Sequence, residues 1–312
     1  MEFSIVIPVY QNASSLPSTI PAMLNLAKSL AGQTEVIFVD DGSNDASWNL
    51  IQQAQKDFPD TIRAVRFTRN FGQRAATLAG IAQSKGKAIG VISADLQDPP
   101  ELFQKMLEEW RRGKKLVIAT RTKRQDGWWN DLLSAFFYRT IRRLAIPDYP
   151  KNGFDFYLMD REIADIVLRA SEKHGHLMML IFSLGYPYSV YPYERGPRLQ
   201  GKSQYTFFKK WLSFYDAIFA NSFAPIRFVT LLGASTALMA FLYGVYVIIS
   251  WWWNYPESRQ VNHGWASIVV LITFFSGCIL LSLGILGEYL WRMFEEVRRR
   301  PLYVIDSALP QN

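Results

Sequence analysis

Closely spaced oxygen donors follow the apolar run Ala88–Ile92, which predicts a buried strand. Asp95, Gln97 and Asp98 come directly after this run, and Pro99-Pro100 then predicts the first turn of a helix. The donors would therefore lie at the carboxyl end of a strand, where open α/β sheets bind ligands. Such a cluster suits a hard divalent cation, which can neutralise a diphosphate. The alternative is a helix N-cap without metal, because Asp is common before helices.

Polar residues also end the three predicted strands that come earlier in the chain. Pro8 and Tyr10 follow the first, Asp40-Asp41 the second, and Arg69 the third. A nucleotide accounts for this set. Asp40 or Asp41 can accept from a base N–H or from ribose hydroxyls. Tyr10 can lie against the base, and Arg69 can neutralise phosphate. For the two Asp residues the alternative is turn and cap chemistry, but two adjacent carboxylates exceed what a cap needs.

Common nucleotide motifs are absent from the sequence. It has no phosphate-binding loop that ends in Gly-Lys-Ser/Thr, and no Gly-x-Gly-x-x-Gly after the first strand. An ordinary kinase, ATPase or dinucleotide enzyme is therefore not indicated.

The elements that must position these side chains alternate between short apolar strands and amphipathic helices. This alternation predicts an α/β fold with a mostly parallel central sheet covered by helices. The predicted strands are Phe3–Ile7, Glu35–Val39, Ile62–Phe67, Ala88–Ile92 and Leu116–Ala119. The predicted helices are near Ser18–Leu30, Ala46–Asp57, Arg74–Gln83 and Pro100–Trp110.

The amino-acid composition limits the classes of binding partner that the sequence favours. The net charge of +7 over 312 residues fits a phosphate-rich partner such as nucleic acid, a nucleotide or anionic lipid. Ten tryptophans are a membrane-like excess. The single cysteine, Cys278, excludes an internal disulfide and a multi-cysteine metal site. No signal peptide precedes the first strand, so we expect the N-terminal half to stay in the cytoplasm.

Two uncharged stretches, Phe228–Trp253 and Trp265–Gly287, each exceed the roughly 20 residues that cross a bilayer. They predict transmembrane helices at about 228–253 and 265–290, a pattern that argues against a nucleic-acid binder. Basic residues flank the pair, so the positive-inside rule puts both flanks in the cytoplasm and the short joining loop outside. The alternative is a buried helical pair of a soluble protein. Glu288 is placed to pair with Arg292.

The sequence thus predicts a cytoplasmic domain at 1–225, two transmembrane helices within 226–292 and a cytoplasmic tail at 293–312. Within the first domain, segments near 128–144 and 206–222 have apolar residues at helical spacing, interrupted by Arg or Lys. They predict amphipathic helices lying on anionic lipid. The alternative is helices packed on the core.

Four segments together resemble glycosyltransferase family two, and within it the polyprenyl-phosphate glycosyltransferases. The segments are Ser-Ile-Val-Ile-Pro-Val-Tyr10, Val-Asp-Asp-Gly-Ser43, Arg-Asn-Phe-Gly72 and Ala-Asp-Leu-Gln-Asp-Pro-Pro-Glu101. The resemblance implies a nucleotide-diphosphosugar-binding domain of the GT-A type that uses Mg or Mn. It implies that Asp95 and Gln97 hold the metal and that Asp40 and Asp41 hold the nucleotide. Ser93 stands where the family usually has Asp, at the sugar and metal contacts.

Two later segments extend the resemblance. Asn152–Asp160 is similar to the family segment that carries the proposed catalytic aspartate, which implies Asp155 for that role, although Phe154 and Tyr157 replace its Gly and Arg. Arg198–Tyr205 matches the family loop that closes on the diphosphate and acceptor. The residues expected to bind these phosphates are Arg121, Arg124, Arg198, Lys202 and Ser203.

The expected activity is inverting transfer of a sugar from a nucleotide-diphosphosugar to a polyprenyl phosphate, by a multi-pass protein of the inner membrane. A homo-oligomer through the transmembrane helices is expected by resemblance. The alternative is a non-catalytic membrane scaffold or sensor with a degenerate sugar-nucleotide domain, for which Ser93, Phe154 and Tyr157 are the support. A processive polysaccharide synthase is disfavoured, because the chain has no Gln-x-x-Arg-Trp motif.

Overall fold

A computed structural model describes residues 1–30, 32–122, 154–170, 177–194, 224–253, 264–298 and 300–306, with the single positions 139, 142 and 150. The chain forms two units. The first comprises Met1–Ala217 and Arg300–Asn312, and the second comprises Ile218–Arg299. Apart from positions 139 and 142, the interfacial helices predicted near 128–144 and 206–222 lie outside the described residues. So do the predicted phosphate-binding residues Arg124, Arg198, Lys202 and Ser203.

The first unit is built on a mixed sheet. The described strands are β1 (Phe3–Val9), β2 (Thr34–Asp40), β3 (Ile62–Arg66), β4 (Ala88–Val91), β5 (Leu116–Arg121), β6 (Phe156–Asp160) and β7 (Tyr188–Tyr193). Their order is β3-β2-β1-β4-β6-β5-β7. Every neighbouring pair is parallel except those of β6, which runs antiparallel to β4 and β5. The mostly parallel sheet is therefore confirmed, and β6 and β7 are strands that the sequence analysis did not predict.

Helices connect the strands. In the first unit they are α1 (Leu16–Ser29), α2 (Ser47–Asp57), α3 (Gln73–Gln83), α4 (Leu102–Arg111), α5 (Arg161–Ala170) and α6 (Leu177–Ser183). The first four confirm the predicted helices, with ends that differ by a few residues. Both α1 and α4 begin close to proline, as the sequence suggests.

Apolar side chains cover both faces of the sheet. Along β1, Phe3, Ile5 and Ile7 enter one buried cluster, whereas Val6 points into another on the opposite face. This alternation is the two-residue period of a strand with both faces buried. Helix α3 lies so close to the sheet that a Cβ on Gly80 would come 2.2 Å from a methyl group of Val6. Close packing of this kind fixes the position of the strands relative to α3, and therefore the position of the strand ends that carry the polar side chains.

The antiparallel direction of β6 places its start beside the ends of its neighbours. In the register, Tyr157 pairs with Val91 and Phe156 pairs with Ala119. Asp155, immediately before β6, therefore lies at the sheet edge where the parallel strands end. Six parallel strands and one antiparallel strand thus bring their site residues to the same edge.

The second unit contains two long helices, α7 (Ala224–Trp253) and α8 (Gly264–Val297). Both are long and apolar enough to cross a bilayer, with mean hydropathy of 1.8 over Ile226–Tyr246 and 1.5 over Phe274–Val297. Large apolar side chains on them are exposed, among them Leu231 at 70% and Leu280 at 69%. The predicted pair on α8 is confirmed, since Arg292 Nε donates to Glu288 Oε1 at 2.8 Å.

Candidate active site

Asp40 ends β2 as a fully buried carboxylate with spare hydrogen-bonding capacity. The Ser43 N–H donates to its Oδ2 at 3.3 Å, and Arg66 Nε lies 3.5 Å from the same oxygen. Its Oδ1 has no hydrogen-bond partner in the described part of the chain. Burial raises the pKa of Asp40, against the smaller lowering effects of Ser43 and Arg66. A buried acceptor of this kind is suited to a ligand that carries N–H or O–H donors.

Asp41 stabilises the loop that follows β3. Its two oxygens accept from the backbone N–H groups of Phe71 and Gly72, at 2.6 and 2.9 Å. Gly42 permits the close approach of these loops, because a Cβ there would lie 2.5 Å from the carbonyl carbon of Arg69. The structure thus gives Asp41 a positioning role beside the nucleotide role expected from the sequence.

A cavity of about 310 Å³ lies at the carboxyl end of β3, and its wall includes Arg66, which contacts Asp40. Two of the predicted nucleotide contacts, Tyr10 and Arg69, line it together. The Arg69 guanidinium lies 4.2 Å from the ring centroid of Phe71, which holds the long side chain against the loop. The volume of the cavity is at the lower end of the range typical of small-molecule sites, about 300–1,000 Å³.

After β4, Ser93 lies between two carboxylates. Its hydroxyl is 2.7 Å from Asp95 Oδ1 and 2.9 Å from Asp98 Oδ2. Because a hydroxyl has one proton, it donates to one of them at a time. The Gln97 N–H also donates to Asp95 Oδ1, at 3.3 Å, and Leu96 between them has a left-handed φ of 52°. Ser93 therefore fixes the loop that presents Asp95 without adding a third negative charge.

The same contacts continue across the sheet edge to Asp155. The Tyr193 hydroxyl donates to Asp98 Oδ1 at 2.5 Å, and Arg121 donates to the Tyr193 oxygen. Arg121 Nη2 then pairs with Asp155 Oδ2 at 3.0 Å. Burial lowers the pKa of Arg121, but Asp155, Tyr193 and Asp98 raise it further, so the guanidinium stays cationic. We call these contacts the polar network, and its members are Asp155, Arg121, Tyr193, Asp98, Ser93 and Asp95.

The sequence profile of glycosyl transferase family 2 matches residues 4–167. The chain belongs to glycosyl transferase family 2. It is therefore a glycosyltransferase enzyme, and the GT-A type of α/β fold expected from the sequence is confirmed.

Curated relatives match over nearly the whole length. An uncharacterized glycosyltransferase of Synechocystis sp. is 36% identical over 309 residues, which cover 98% of this chain and 95% of that protein. The SfII prophage-derived bactoprenol glucosyl transferase of Shigella flexneri is 31% identical, with 99% and 98% covered. The undecaprenyl-phosphate 4-deoxy-4-formamido-L-arabinose transferase of Pseudomonas aeruginosa is 31% identical, with 98% and 92% covered.

Of the metal ligands expected in this glycosyltransferase, Asp95 and Gln97 are half-buried at the end of β4. The carboxylate and amide oxygens fit a hard cation such as Mg or Mn by their donor chemistry. No group of three or more His, Cys, Asp or Glu side chains suited to a metal occurs in the described ranges. Pro8, also expected at the donor site, lies within β1 opposite Val39 of β2.

Two of the three substitutions that favoured a degenerate glycosyltransferase domain lie in the core. Phe154 is 5% exposed and Tyr157 is fully buried, and their rings pack edge to face at 5.7 Å. They fill the space behind the site and leave Asp155 at the edge. Their presence therefore does not indicate a lost active site.

Sequence reasoning missed three contributions to this glycosyltransferase site. Asp98 was grouped only with the oxygen donors for a cation, and Tyr193 and Arg66 were not considered. Asp98 is 1% exposed, and a charged side chain so buried has a partner. Its position beside Asp95 was the available signal. Tyr193 could not be found, because β7 was not predicted.

Proposed function

We propose that the chain transfers a sugar from a nucleotide-diphosphosugar to a polyprenyl phosphate at a membrane surface. The observation that carries the proposal is the polar network, which links the donor end of the sheet at Asp95 to the acceptor end at Asp155. A transferase needs both substrates against one reacting carbon, and a rigid network across one edge suits that requirement.

The donor part of the proposal rests on Asp40 and the neighbouring cavity. The spare oxygen of Asp40 would accept from the base or ribose, with Tyr10 and Arg69 at the cavity wall. The carboxylate and amide of Asp95 and Gln97 would hold Mg or Mn. When bound there, that cation supplies positive charge to the diphosphate leaving group.

The acceptor part rests on Arg121 and Asp155. A phosphate monoester is already mostly anionic near neutral pH, since its second pKa is about 6. It therefore needs a cationic site more than a general base, and Arg121 provides the cation. The phosphate oxygen forms a bond to the anomeric carbon as the bond to the nucleoside diphosphate breaks on the opposite face. Asp155 would face the positive charge that develops on the sugar ring.

The choice of a lipid acceptor is supported by two relatives, which are named as a bactoprenol glucosyl transferase and an undecaprenyl-phosphate 4-deoxy-4-formamido-L-arabinose transferase. The exposed apolar surfaces of α7 and α8 also favour it, because a bilayer would cover them. We further propose an inner-membrane location with the catalytic unit and both termini in the cytoplasm, and a homo-oligomer through α7 and α8. The basic residues that flank the two apolar stretches support this orientation.

Label transfer in detergent tests the proposal. Purified protein with Mg or Mn would be mixed with undecaprenyl phosphate and a panel of labelled UDP- and GDP-sugars, and then extracted into organic solvent. We expect label in the lipid phase from one donor, dependent on both the metal and the lipid phosphate. Transfer from no donor, by folded protein that still binds a nucleotide, would reject the proposed transfer to a polyprenyl phosphate.

A further inference from the structure

The chain returns to the first unit after α8. Ile305 forms an antiparallel bridge with Phe67, just beyond β3. The Thr68 N–H donates to the Val304 carbonyl at 3.1 Å, and the Asp306 N–H donates to the Arg66 carbonyl at 2.8 Å. Since β3 is an edge strand of the sheet, residues 300–306 extend the sheet at that edge. We call them the return segment.

Aromatic packing holds the return segment in register. The Tyr303 ring stacks on Phe67 with centroids 5.0 Å apart and planes at 13°. Tyr303 and Ile305 also pack against the buried cluster that contains Val65 and Ala76. Burial raises the pKa of Tyr303, in keeping with a ring removed from water. The segment is thus a fixed part of the first unit.

This register brings Asp306 to the cavity beside Asp40. Asp306 is half-buried and lines the cavity with Tyr10, Arg66 and Arg69. It is the one acidic residue among the described residues that line it. The cavity wall therefore offers guanidinium donors from the sheet and a carboxylate acceptor from the return segment.

We propose that Asp306 binds the nucleoside part of the donor, an inference that rests on the proposed function. A carboxylate only accepts hydrogen bonds, so it selects N–H and O–H groups over carbonyls. The imide N–H of uracil, the adjacent N–H and amino groups of guanine, and the ribose hydroxyls all provide this chemistry. Arg66 and Arg69 lie on the same wall to receive base carbonyls or phosphate oxygens.

The consequence is that the return segment completes the donor site. Without Asp306 the wall keeps its two arginines and its neutral acceptors but loses its one described carboxylate, which weakens the recognition of N–H and O–H groups. Selectivity for the nucleoside should then fall, while attraction to diphosphate persists.

Nucleotide binding by the full-length protein in detergent tests the inference. Asp306→Asn keeps the shape and the backbone N–H, and Asp60→Asn is the matched control, because Asp60 is an exposed carboxylate before the other end of β3. UDP and GDP affinities would be measured by calorimetry with Mg present. We expect D306N to weaken the preferred nucleotide about tenfold to a hundredfold, the usual effect of losing a charged acceptor. D60N should bind as the wild type does.

Further measurements identify the nucleotide group that Asp306 contacts, and they distinguish failure of this inference from failure of the proposed function. Persistence of the D306N loss with 2′-deoxy-UDP would exclude the 2′-hydroxyl as the contact, and its disappearance would assign the contact to that hydroxyl. Unchanged affinity in D306N, or equal weakening in D60N, would overturn the inference and leave the proposed function intact. A D306N loss that accompanies a lower melting temperature without nucleotide would also overturn it, in favour of a purely structural role. Failure of the wild type to bind either nucleotide would instead overturn the proposed function.

Discussion

The two ends of strand β2 carry buried carboxylates with opposite surroundings. Near the start, Glu35 is 1% exposed and accepts from the Ser4 hydroxyl and the Lys85 N–H, both at 2.6 Å, while Arg63 lies 3.3 Å from its other oxygen. At the end, Asp40 is fully buried, yet Ser43 and Arg66 both contact the same oxygen, and the other oxygen has no hydrogen-bond partner among the described residues. One strand thus holds a carboxylate whose two oxygens both have partners, Glu35, and a carboxylate with one oxygen that has none among the described residues, Asp40.

The difference separates structure from function. An unsatisfied buried acceptor costs stability, so its persistence in a folded protein requires an explanation. Glu35 needs none, because its hydrogen bonds tie β1, β2 and the α3–β4 loop together. Asp40 lies at the edge where the polar network and the cavity lie, and under the proposed function a nucleotide would supply its missing partner. Stability should therefore depend most on the amino edge of the sheet, and activity on the carboxyl edge.

The largest effect is expected for Asp155→Asn at the carboxyl edge. Loss of its charge removes stabilisation of the sugar ring in the transition state and should lower kcat about 100- to 1,000-fold. Asp165→Asn is the matched control, because the two side chains are 55% and 51% exposed and each lies by an arginine. Label transfer and thermal unfolding would be measured for both. Near-normal turnover of D155N would contradict the role of its charge.

Exchanging the two acids of β2 for alanine tests the comparison itself. Glu35→Ala leaves the Ser4 hydroxyl and the Lys85 N–H unpaired and should cost about 2–3 kcal/mol of unfolding free energy. Asp40→Ala leaves fewer donors unpaired and should cost less, but should weaken nucleotide binding at least tenfold. Denaturation and calorimetry on both variants give the two readouts. Equal stability losses with equal nucleotide affinities would remove the distinction between the edges.

The pH dependence of nucleotide binding sharpens the same comparison. The pKa of Asp40 is raised chiefly by burial, so it protonates at a higher pH than an ordinary carboxyl, and Asp41 and Asp45 face it as further acids, with Arg66 opposite. Its own contribution to stability is greatest below the ordinary pKa of 3.8 and is lost as the pH rises through its raised value. Nucleotide affinity should change in the opposite sense and fall on acidification.

Asp40→Asn is the control for this titration. The variant should lose most of the pH dependence of affinity and keep a smaller part from Asp41, whose pKa burial also raises. Calorimetry between pH 4 and 8 would measure it, a range that begins at the ordinary carboxyl pKa of about 4 and extends above it. A pH profile identical to that of the wild type would assign the titration to another group.

A smaller effect is expected from the middle of the polar network. Tyr193→Phe keeps the ring and removes the hydroxyl between Arg121 and Asp98. The hydroxyl makes two hydrogen bonds, but kcat responds only through Arg121, so a loss the size of one hydrogen bond, about 0.5–1.5 kcal/mol, should lower kcat about 2- to 12-fold. Because Tyr193 acts through Arg121, the KM for the lipid phosphate should rise while nucleotide affinity stays constant. A loss confined to nucleotide affinity would place Tyr193 in the donor site.

The sequence was informative where a motif follows a long apolar run. The strands before Tyr10, Asp40 and Asp95 have central positions buried on both faces, so their ends could be located and their polar residues grouped. The same reasoning missed β6, which is a short strand with four apolar residues. It pairs antiparallel to β4. It also missed β7, an edge strand with exposed residues alternating along it. Edge strands are weakly specified by pattern, because packing on one side sets them.

Contacts between distant segments could not be predicted from local sequence. The polar network joins residues from four separate segments, and Asp98 and Tyr193 are 95 positions apart. Asp306 is still further from the β3 end that it contacts. Motif order groups residues by strand, whereas the register of β6 and the return segment is fixed by tertiary packing.

The smallest effect is expected at Tyr157, a second buried polar group without a partner. Its hydroxyl has no hydrogen-bond partner in the described chain, and burial raises its pKa. Unlike Asp40, it lies inside the sheet, paired between β4 and β5, where no ligand can reach it. Tyr157→Phe should therefore be neutral or should stabilise the protein by about 1 kcal/mol, since it removes an unpaired polar atom without a cavity larger than the hydroxyl. Thermal unfolding and label transfer would be measured together. Destabilisation or lost activity would mean that the hydroxyl contributes to the protein through its interaction with Asp155, and the contrast with Asp40 would then fail.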